Sequence, residues 1–515
     1  MQLIRESVII NKVTQFIILI YHLWCECALC AICSSVARVF SNLWKGSFIC
    51  RSVSRTGTLS HDWKNSRIVL FCTHIINAVP IGLHALHRRF TPLWEGSIIM
   101  RALYWLGENT YILLSWLILA LLVIPQDFWN NMYSLVGILA VLLIFWFGGM
   151  RHKKLRLDLR HVGIYPVVFA CIVALFTVFS RDRSSSLRFF MFHFTCMVAV
   201  ILLVSSIDSF DKIKRIILFT LAGVLIASLY AFIQRASGLE VDELLVDITV
   251  SADTPARVFS FFENPNSFAT VLVLLLPTAL AMIFICNGWL RVFSLITFAA
   301  GTASLLMTYS RGAWLGFFIS VFVIILILKP KLIPLFIILC ILCIPLLPDS
   351  IYNRILSSFN SSDTSISSRM EIYDATWAMI KRHPIRGVGL GSDVVRDSLM
   401  VTNLYKSLNI YIHAHNLYLQ IMAEMGLFGL LAFLASMFSG FKSGLHVITG
   451  KKGEPGLRAL IAAFISGFIG VLVYGIVDYP WSYPRVMLIF WLLFGIMLSC
   501  IKLANEENHS EHIQL

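Results

Sequence analysis

Twelve separate apolar runs, each long enough to approach the span of a bilayer, punctuate the chain between residues 107 and 502. They leave few folds open. They lie at about 107–125, 132–149, 162–180, 189–206, 216–234, 267–286, 290–308, 312–328, 332–347, 415–439, 458–478 and 485–502. A spanning helix needs about 20 mostly apolar residues. In lipid every backbone N–H and C=O must be satisfied within the segment, so each run reads as a helix. Composition agrees, because only 13% of the 515 residues are charged, against about 25% in ordinary soluble domains. The expected fold class is an all-α integral membrane protein of about 12 transmembrane helices, with a large extracytoplasmic loop carrying short helices.

Loop charge orients the bundle. Arg151, Lys153, Lys154, Arg156 and Arg160 follow the second run, and Lys212, Lys214 and Arg215 the fourth. Arg291 follows the sixth, Lys329 and Lys331 the eighth, and Lys442, Lys451, Lys452 and Arg458 the tenth. Every even-numbered connection is basic. By the positive-inside rule these face the cytoplasm, both termini lie inside and the 348–414 loop lies outside. The net charge of +13 therefore marks cytoplasmic loops rather than a nucleic-acid surface, and no nucleic-acid partner is expected. Five units follow: a membrane-associated extension over 1–102, nine helices over 103–347, the outer loop 348–414, three helices over 415–502, and a cytoplasmic tail over 503–515.

The first hundred residues carry a thrice-repeated pattern: LWKGSFI from Leu43, DWKNSRI from Asp62 and LWEGSII from Leu93. Trp anchors at the lipid–water boundary and Ser caps helices, so these read as interfacial elements beside apolar runs near 13–33 and 68–87. Two further spanning helices are the alternative. No cleavable signal peptide is evident. Cys30 and Cys33 have C-x-x-C spacing, but no second pair or His pair completes a metal pattern, so no metal or cofactor is expected.

Outside segments should be poor in arginine, yet Arg181, Arg183, Arg188, Arg257, Arg311, Arg369, Arg386 and Arg485 all fall there. Singly these read as snorkelling side chains. Together they suit an anionic lipid diphosphate, which guanidinium binds bidentately. Asn264 and Asn266 flank Pro265 in a turn before the sixth run, where Asn266 is a plausible cap and Arg257, Asn264 and Asn266 are candidates for sugar hydroxyls. Ser368 and Glu371 have capping-box spacing, and Arg369, Tyr373 and Trp377 share one face at i, i+4, i+8. A guanidinium beside two aromatic rings fits a charged head group and a sugar. GVGLG, from Gly387, makes a tight turn. His415 and Asn416 then open an apolar run in which Gln420 and Glu424 continue a polar stripe. Ionisable groups at membrane depth mark function, and His is suited to proton transfer near neutral pH.

These segments resemble the O-antigen ligase and O-antigen polymerase superfamily (Wzy-C-type). The resemblance rests on TYSRGAWLGF (Arg311), SRMEIYDATW (Arg369, Trp377), HPIRGVGLG (Arg386) and AHNLYLQIMAEMGLFGLL (His415, Asn416, Glu424). The W-x-x-S elements and RVFSFFENPNSFA resemble a branch often labelled as an inorganic carbon (bicarbonate) transporter. The superfamily resemblance implies a GT-C-like helical fold and metal-independent, inverting glycosyl transfer at the outer face of the bacterial cytoplasmic membrane. The implied donor is a glycan on undecaprenyl diphosphate, and the acceptor a glycan, lipid or protein. Arg311 and Arg369 would hold the diphosphate, and His415 would orient or deprotonate the acceptor hydroxyl. Small-anion transport is the alternative, but it needs a polar path across the whole bilayer, and no half-chain repeat is visible in the hydropathy. A scaffold would leave the His415–Glu424 stripe without a purpose.

Overall fold

A computed structural model describes residues 59–151, 155–238, 256–356, 364–401 and 413–513, with a few single positions ahead of residue 59. The apolar run at 13–33, the LWKGSFI element, the Cys30/Cys33 pair and the acidic stretch at 240–253 lie outside the described residues. Among those described, every regular element is helical. In order they are α1 (Leu59–Asn65), α2 (Arg67–Ile76), α3 (Ala78–Arg89), α4 (Thr91–Gly96), α5 (Ile98–Glu108), α6 (Thr110–Val123), α7 (Asn131–Arg151), α8 (Ile164–Val178), α9 (Arg183–Ser206) and α10 (Phe210–Ala236). Then come α11 (Pro265–Ile285), α12 (Trp289–Met307), α13 (Arg311–Leu328), α14 (Ile333–Cys343), α15 (Asp349–Leu356), α16 (Thr364–Arg382), α17 (Ser392–Val401), α18 (Leu417–Thr449), α19 (Pro455–Tyr474) and α20 (Pro484–Ile513).

All twelve apolar runs coincide with helices, but the count of twelve spans does not carry over. Nine described helices are long and apolar enough to cross a bilayer, or up to eleven if each of two bent pairs is one span. The pairs are α2–α3, bent by 51°, and α5–α6, bent by 74°. α8 and α14 are apolar but shorter. α14 is cut by proline-led turns on both sides, at Pro330 and Pro345, which hydropathy averages over. Of the W-x-x-S elements, Ser97 caps α5 by accepting from the Met100 N–H at 3.4 Å, whereas Ser66 precedes α2 without a side-chain cap.

Two corrections concern helix starts. α16 begins at Thr364, a turn before Ser368, so the Ser368–Glu371 pair does not open it. Asn264, not Asn266, caps α11: its Oδ1 accepts from the Asn266 N–H at 2.8 Å, with Pro265 in the first turn.

α11, α19 and α20 form the buried centre, and α20 is the most enclosed span. α13 crosses α19 at backbone contact. A β-carbon on Gly316 would sit 2.6 Å from the Gly470 carbonyl oxygen, and one on Gly470 would sit 2.7 Å from that of Gly316. Small residues let helices approach where lipid supplies no hydrophobic drive between them. This contact sets α13 and its first residue, Arg311, against the end of α19.

Arg485, in the first turn of α20, is fully buried. Its Nε donates to the Leu121 carbonyl at 2.6 Å and its Nη1 to the Phe261 carbonyl at 3.1 Å. The guanidinium lies between the Trp129 and Phe262 rings, 5.2 and 4.6 Å from their centroids. Arg485 therefore leaves the outward cluster. Its donors clamp the start of α20 to the end of α6 and to the segment around Phe261.

The α13–α19 contact gives a stability prediction. Gly470→Val is expected to cost about 1–3 kcal/mol through overpacking, read as a lower thermal midpoint of the detergent-purified chain. An unchanged midpoint would mean that the two helices can part without loss.

Candidate active site

Local hydrogen bonds place the site residues. Asn416 caps α18: its Oδ1 accepts from the N–H groups of Tyr418 and Leu419 at 2.9 and 3.0 Å, and its Nδ2 donates to the Ile476 carbonyl at 2.8 Å. The Leu417 N–H donates to the Gly475 carbonyl at 2.7 Å, and the Tyr418 hydroxyl to the Leu472 carbonyl at 2.6 Å. The start of α18 is thereby strapped to the end of α19. His415, ahead of the cap, faces Asp478, just past α19.

His415 Nδ1 lies 3.2 Å from Asp478 Oδ1. That oxygen also accepts from the Tyr479 N–H at 2.9 Å, and Oδ2 accepts from the Tyr474 hydroxyl at 2.6 Å. Tyr474 Oη in turn lies 3.2 Å from Ser310 Oγ, beside Arg311. Burial alone would raise the Asp478 pKa. The hydrogen bond from His415 and the nearby Arg369 charge outweigh burial and hold the carboxyl well below the usual range. An ionised carboxylate only accepts, so the His415 proton belongs on Nδ1 and Nε2 keeps its lone pair. The His415 side chain stays 28% exposed against 7% for Asp478, so the imidazole is reachable and its partner is not.

His415 has φ of +44°, in the left-handed region uncommon for a residue other than glycine. Two bonds hold it there. Its N–H donates to His413 Nδ1 at 3.2 Å, and its carbonyl accepts from the Tyr373 hydroxyl at 2.9 Å. The two imidazole rings lie 4.1 Å apart between centroids. Burial, with His415 adding to it, pushes the His413 pKa down to about 3. His413 stays neutral and serves as an acceptor.

The remaining candidates divide. Arg369 and Arg257 lie near enough for both to act on the same groups, Asp478 among the influences on Arg257 and Arg369 among those on Asp478. Arg257 Nε donates to the Thr308 carbonyl at 2.8 Å and Nη2 to Asn266 Oδ1 at 2.6 Å, which ties the α11 entry to the loop before Arg311. Burial lowers the Arg257 pKa to about 10, and it remains a cation. Arg311 occupies the first turn of α13, where the helix dipole disfavours a cation by roughly 0.3–1 kcal/mol, so helix stability does not account for its place. Trp377 is 45% exposed, on the α16 helix whose Tyr373 reaches His415.

Arg386 is exposed beside His383, Arg181 and Arg382, a different group from the one around Asp478. Arg188 donates to Asp393 at 2.7 Å. Asn264 spends its oxygen on capping. The polar stripe also splits. Gln420 Nε2 donates to Glu424 Oε1 at 2.7 Å while Gln420 Oε1 accepts from the Ala414 N–H at 2.8 Å. Glu424 is buried beneath the 387–391 turn, far down the helix from His415. α18 is itself interrupted at Gly426, with φ 62° and ψ −166°. The carbonyls of Ala423 and Glu424 accept from Val388 and Gly389 at 2.9 and 3.0 Å, and the Leu427 N–H reaches the Pro384 carbonyl at 2.8 Å. A backbone turn thus satisfies the broken ladder of an otherwise apolar helix.

Asp478, Tyr474 and His413 escaped the sequence reading. The signal for Asp478 was a lone acid at the end of an apolar run, in GIVDYPW. His413, His415 and Asp478 each offer a ligand atom within 4.8 Å of the others, so the trio could hold a cation, although both Asp478 oxygens and His413 Nδ1 already accept hydrogen bonds.

Residues 293–434 match the O-antigen ligase family (Wzy_C), a stretch holding Arg311, Arg369 and His415. The chain is also 23% identical over 415 residues to the ComP-specific O-oligosaccharyltransferase of Acinetobacter baylyi, covering 74% of this chain and 68% of that protein.

Two outcomes are expected. Asp478→Asn would let an amide donate to Nδ1 and leave the proton on Nε2. Turnover should fall about 10²–10⁴-fold with KM little changed, and a fall in KM affinity alone would remove Asp478 from the proton path. For stability, both Asp478 and His413 have folded pKa values below their unfolded ones. The unfolded chain then takes up more protons as pH falls, and stability drops from pH 6.5 towards about 3. His413→Asn keeps an acceptor but removes one titration, so its thermal midpoint should fall less steeply over that window. An equal slope would place the acid sensitivity elsewhere.

Proposed function

Taking as premise that the chain belongs to the O-antigen ligase superfamily, we propose that it transfers or polymerises a glycan from an undecaprenyl-diphosphate-linked donor. The reaction would take place on the outer face of the cytoplasmic membrane, with both termini inside. A multi-pass membrane enzyme of glycan transfer is the setting. The single observation that carries the reading is His415, paired with a buried carboxylate on which Arg369 also acts.

In this mechanism His415 Nε2 removes the proton from an acceptor hydroxyl as its oxygen attacks the anomeric carbon. The bond from that carbon to the diphosphate oxygen breaks, and the electron pair leaves with the diphosphate. Arg369 and Arg311, with Arg257 behind them, neutralise the charge that develops there, which is where preformed cations contribute most. Attack opposite the leaving group inverts the anomeric centre. Asp478 holds the imidazole tautomer and stabilises the imidazolium. Trp377 offers a ring face for a sugar, and Asn416 fixes the loop. The relative's name supports an oligosaccharide donor and an oxygen acceptor, which suits a base aimed at a hydroxyl. The acceptor would be a glycan, lipid or protein. Small-anion transport has no support from the matched family or the relative.

The test is release of undecaprenyl diphosphate from host lipid-linked oligosaccharide by the chain in proteoliposomes, with EDTA and host envelope acceptors present. Wild type is expected to release it, and His415→Ala and Arg369→Ala to do so at least about 10²-fold more slowly. No release by wild type with or without EDTA would sink the proposal. Release restored only by added divalent metal would overturn its metal-independent form and assign the His413–His415–Asp478 trio to a cation.

A further inference from the structure

A second feature lies away from this site. Between α8 and α9, with Trp491 of α20 at its floor, is a cavity of about 250 Å³. Several waters would fit that volume, at ~30 Å³ each. Its walls are apolar except for His193, and apolar cavities do not hold water. Cys171 and Phe194, which line it, are exposed, so it opens between the helices to their lipid-facing side.

One end of the cavity is bounded by Leu159, in the loop joining α7 to α8. The Asp158 N–H donates to Ser205 Oγ at 2.9 Å and ties that loop to α9. Asp158 is already engaged by His161 Nδ1 at 2.5 Å. Arg160 Nε lies 3.8 Å from the same carboxylate, with 49% of its side chain exposed. Lys502, on the same side, donates to the Val204 carbonyl at 2.9 Å. This end of the cavity therefore lies beside Arg160 and Lys502, with the Asp158 carboxylate engaged by His161 and Asp208 by Lys212.

The inner end points elsewhere. His193 meets Phe169 and Trp481 edge-on, at 5.9 and 6.1 Å between centroids. Trp481 is buried and stands in the same turn as Asp478.

We propose that this groove holds one acyl chain of an anionic phospholipid, with its phosphate at Arg160 and its chain packed along α8 and α9 as far as His193. A hydrocarbon chain suits the apolar walls. A phosphate belongs at the depth of Arg160 once the chain lies between two membrane helices, and surface lysines and arginines favour anionic over zwitterionic head groups. The filled groove backs His193 and, through it, the Trp481 side of the Asp478 turn.

The test reads lipid binding and does not depend on glycan transfer. The full chain is purified in mild detergent, and retained phospholipid per chain is counted by mass spectrometry. The lipid-stripped chain is then titrated with phosphatidylglycerol and phosphatidylethanolamine of matched chains. Wild type is expected to keep one phospholipid and to bind phosphatidylglycerol at least tenfold more tightly. Ala174→Phe, which fills the groove, should lose the retained lipid. Arg160→Ala, on an exposed loop, should keep chain binding but lose the tenfold preference, and it tests the proposal even if Ala174→Phe fails to insert. Equal affinity for the two lipids in wild type, undiminished retention in Ala174→Phe, or a polyprenyl lipid retained in place of the phospholipid would each overturn it.

Discussion

A buried carboxylate that must stay ionised organises this molecule. Asp478 sits at the end of a membrane helix, where an unpaired charge is strongly penalised. Its donors are His415 and Tyr474 side chains and the Tyr479 N–H, and they come from α19 itself, from the turn after it and from the residue ahead of α18. To bring them together the chain must latch α18 to α19, hold His415 in a left-handed backbone conformation and keep α13 at backbone contact with α19. Each requirement recurs in the packing as a cap, a hydroxyl-to-carbonyl bond or a pair of glycines. The same bonds leave His415 Nε2 as the reachable lone pair.

Much of the fold was legible because lipid permits so little. Twelve apolar runs became helices, and His415, ahead of α18, meets the buried Asp478. What hydropathy cannot read is where a helix bends or breaks. The interruption at Gly426 is made tolerable by donors from the 384–391 turn, which lies thirty to forty residues earlier in sequence. The bends between α5 and α6 and the shortness of α8 and α14 depend likewise on neighbours and proline turns. Asn264 and Asn266 are equal candidates for a cap by composition, but only Asn264 precedes Pro265, and this leaves Asn266 to accept from Arg257. Asp478 was hidden because a single acid at the end of an apolar run looks like the boundary of a span.

The arginines show most clearly what sequence leaves open. Eight of them in outer segments look alike, each a fixed cation with five donors. Carbonyls and carboxylates elsewhere in the fold decide their fates. Arg485 is held by the Leu121 and Phe261 carbonyls between two rings, so it is a clamp. Arg188 is taken by Asp393. Arg257 keeps one side on Thr308 and Asn266 and its charge within reach of Asp478. Arg369 shares a helix with Tyr373, which bonds the His415 carbonyl, and Arg311 opens a helix whose dipole disfavours it.

The polar stripe divides by the same reasoning. Glu424 and His415 look from sequence like two ionisable groups on one helix face. Yet Glu424 is bonded to Gln420 below a glycine-rich turn and is almost fully buried, so it has no path to an acceptor hydroxyl. Gln420 passes its own oxygen to the Ala414 N–H, between the two histidines. Glu424 thus supports the backbone that carries His415, and in the proposed mechanism the proton would pass to His415, with Asp478 as its partner.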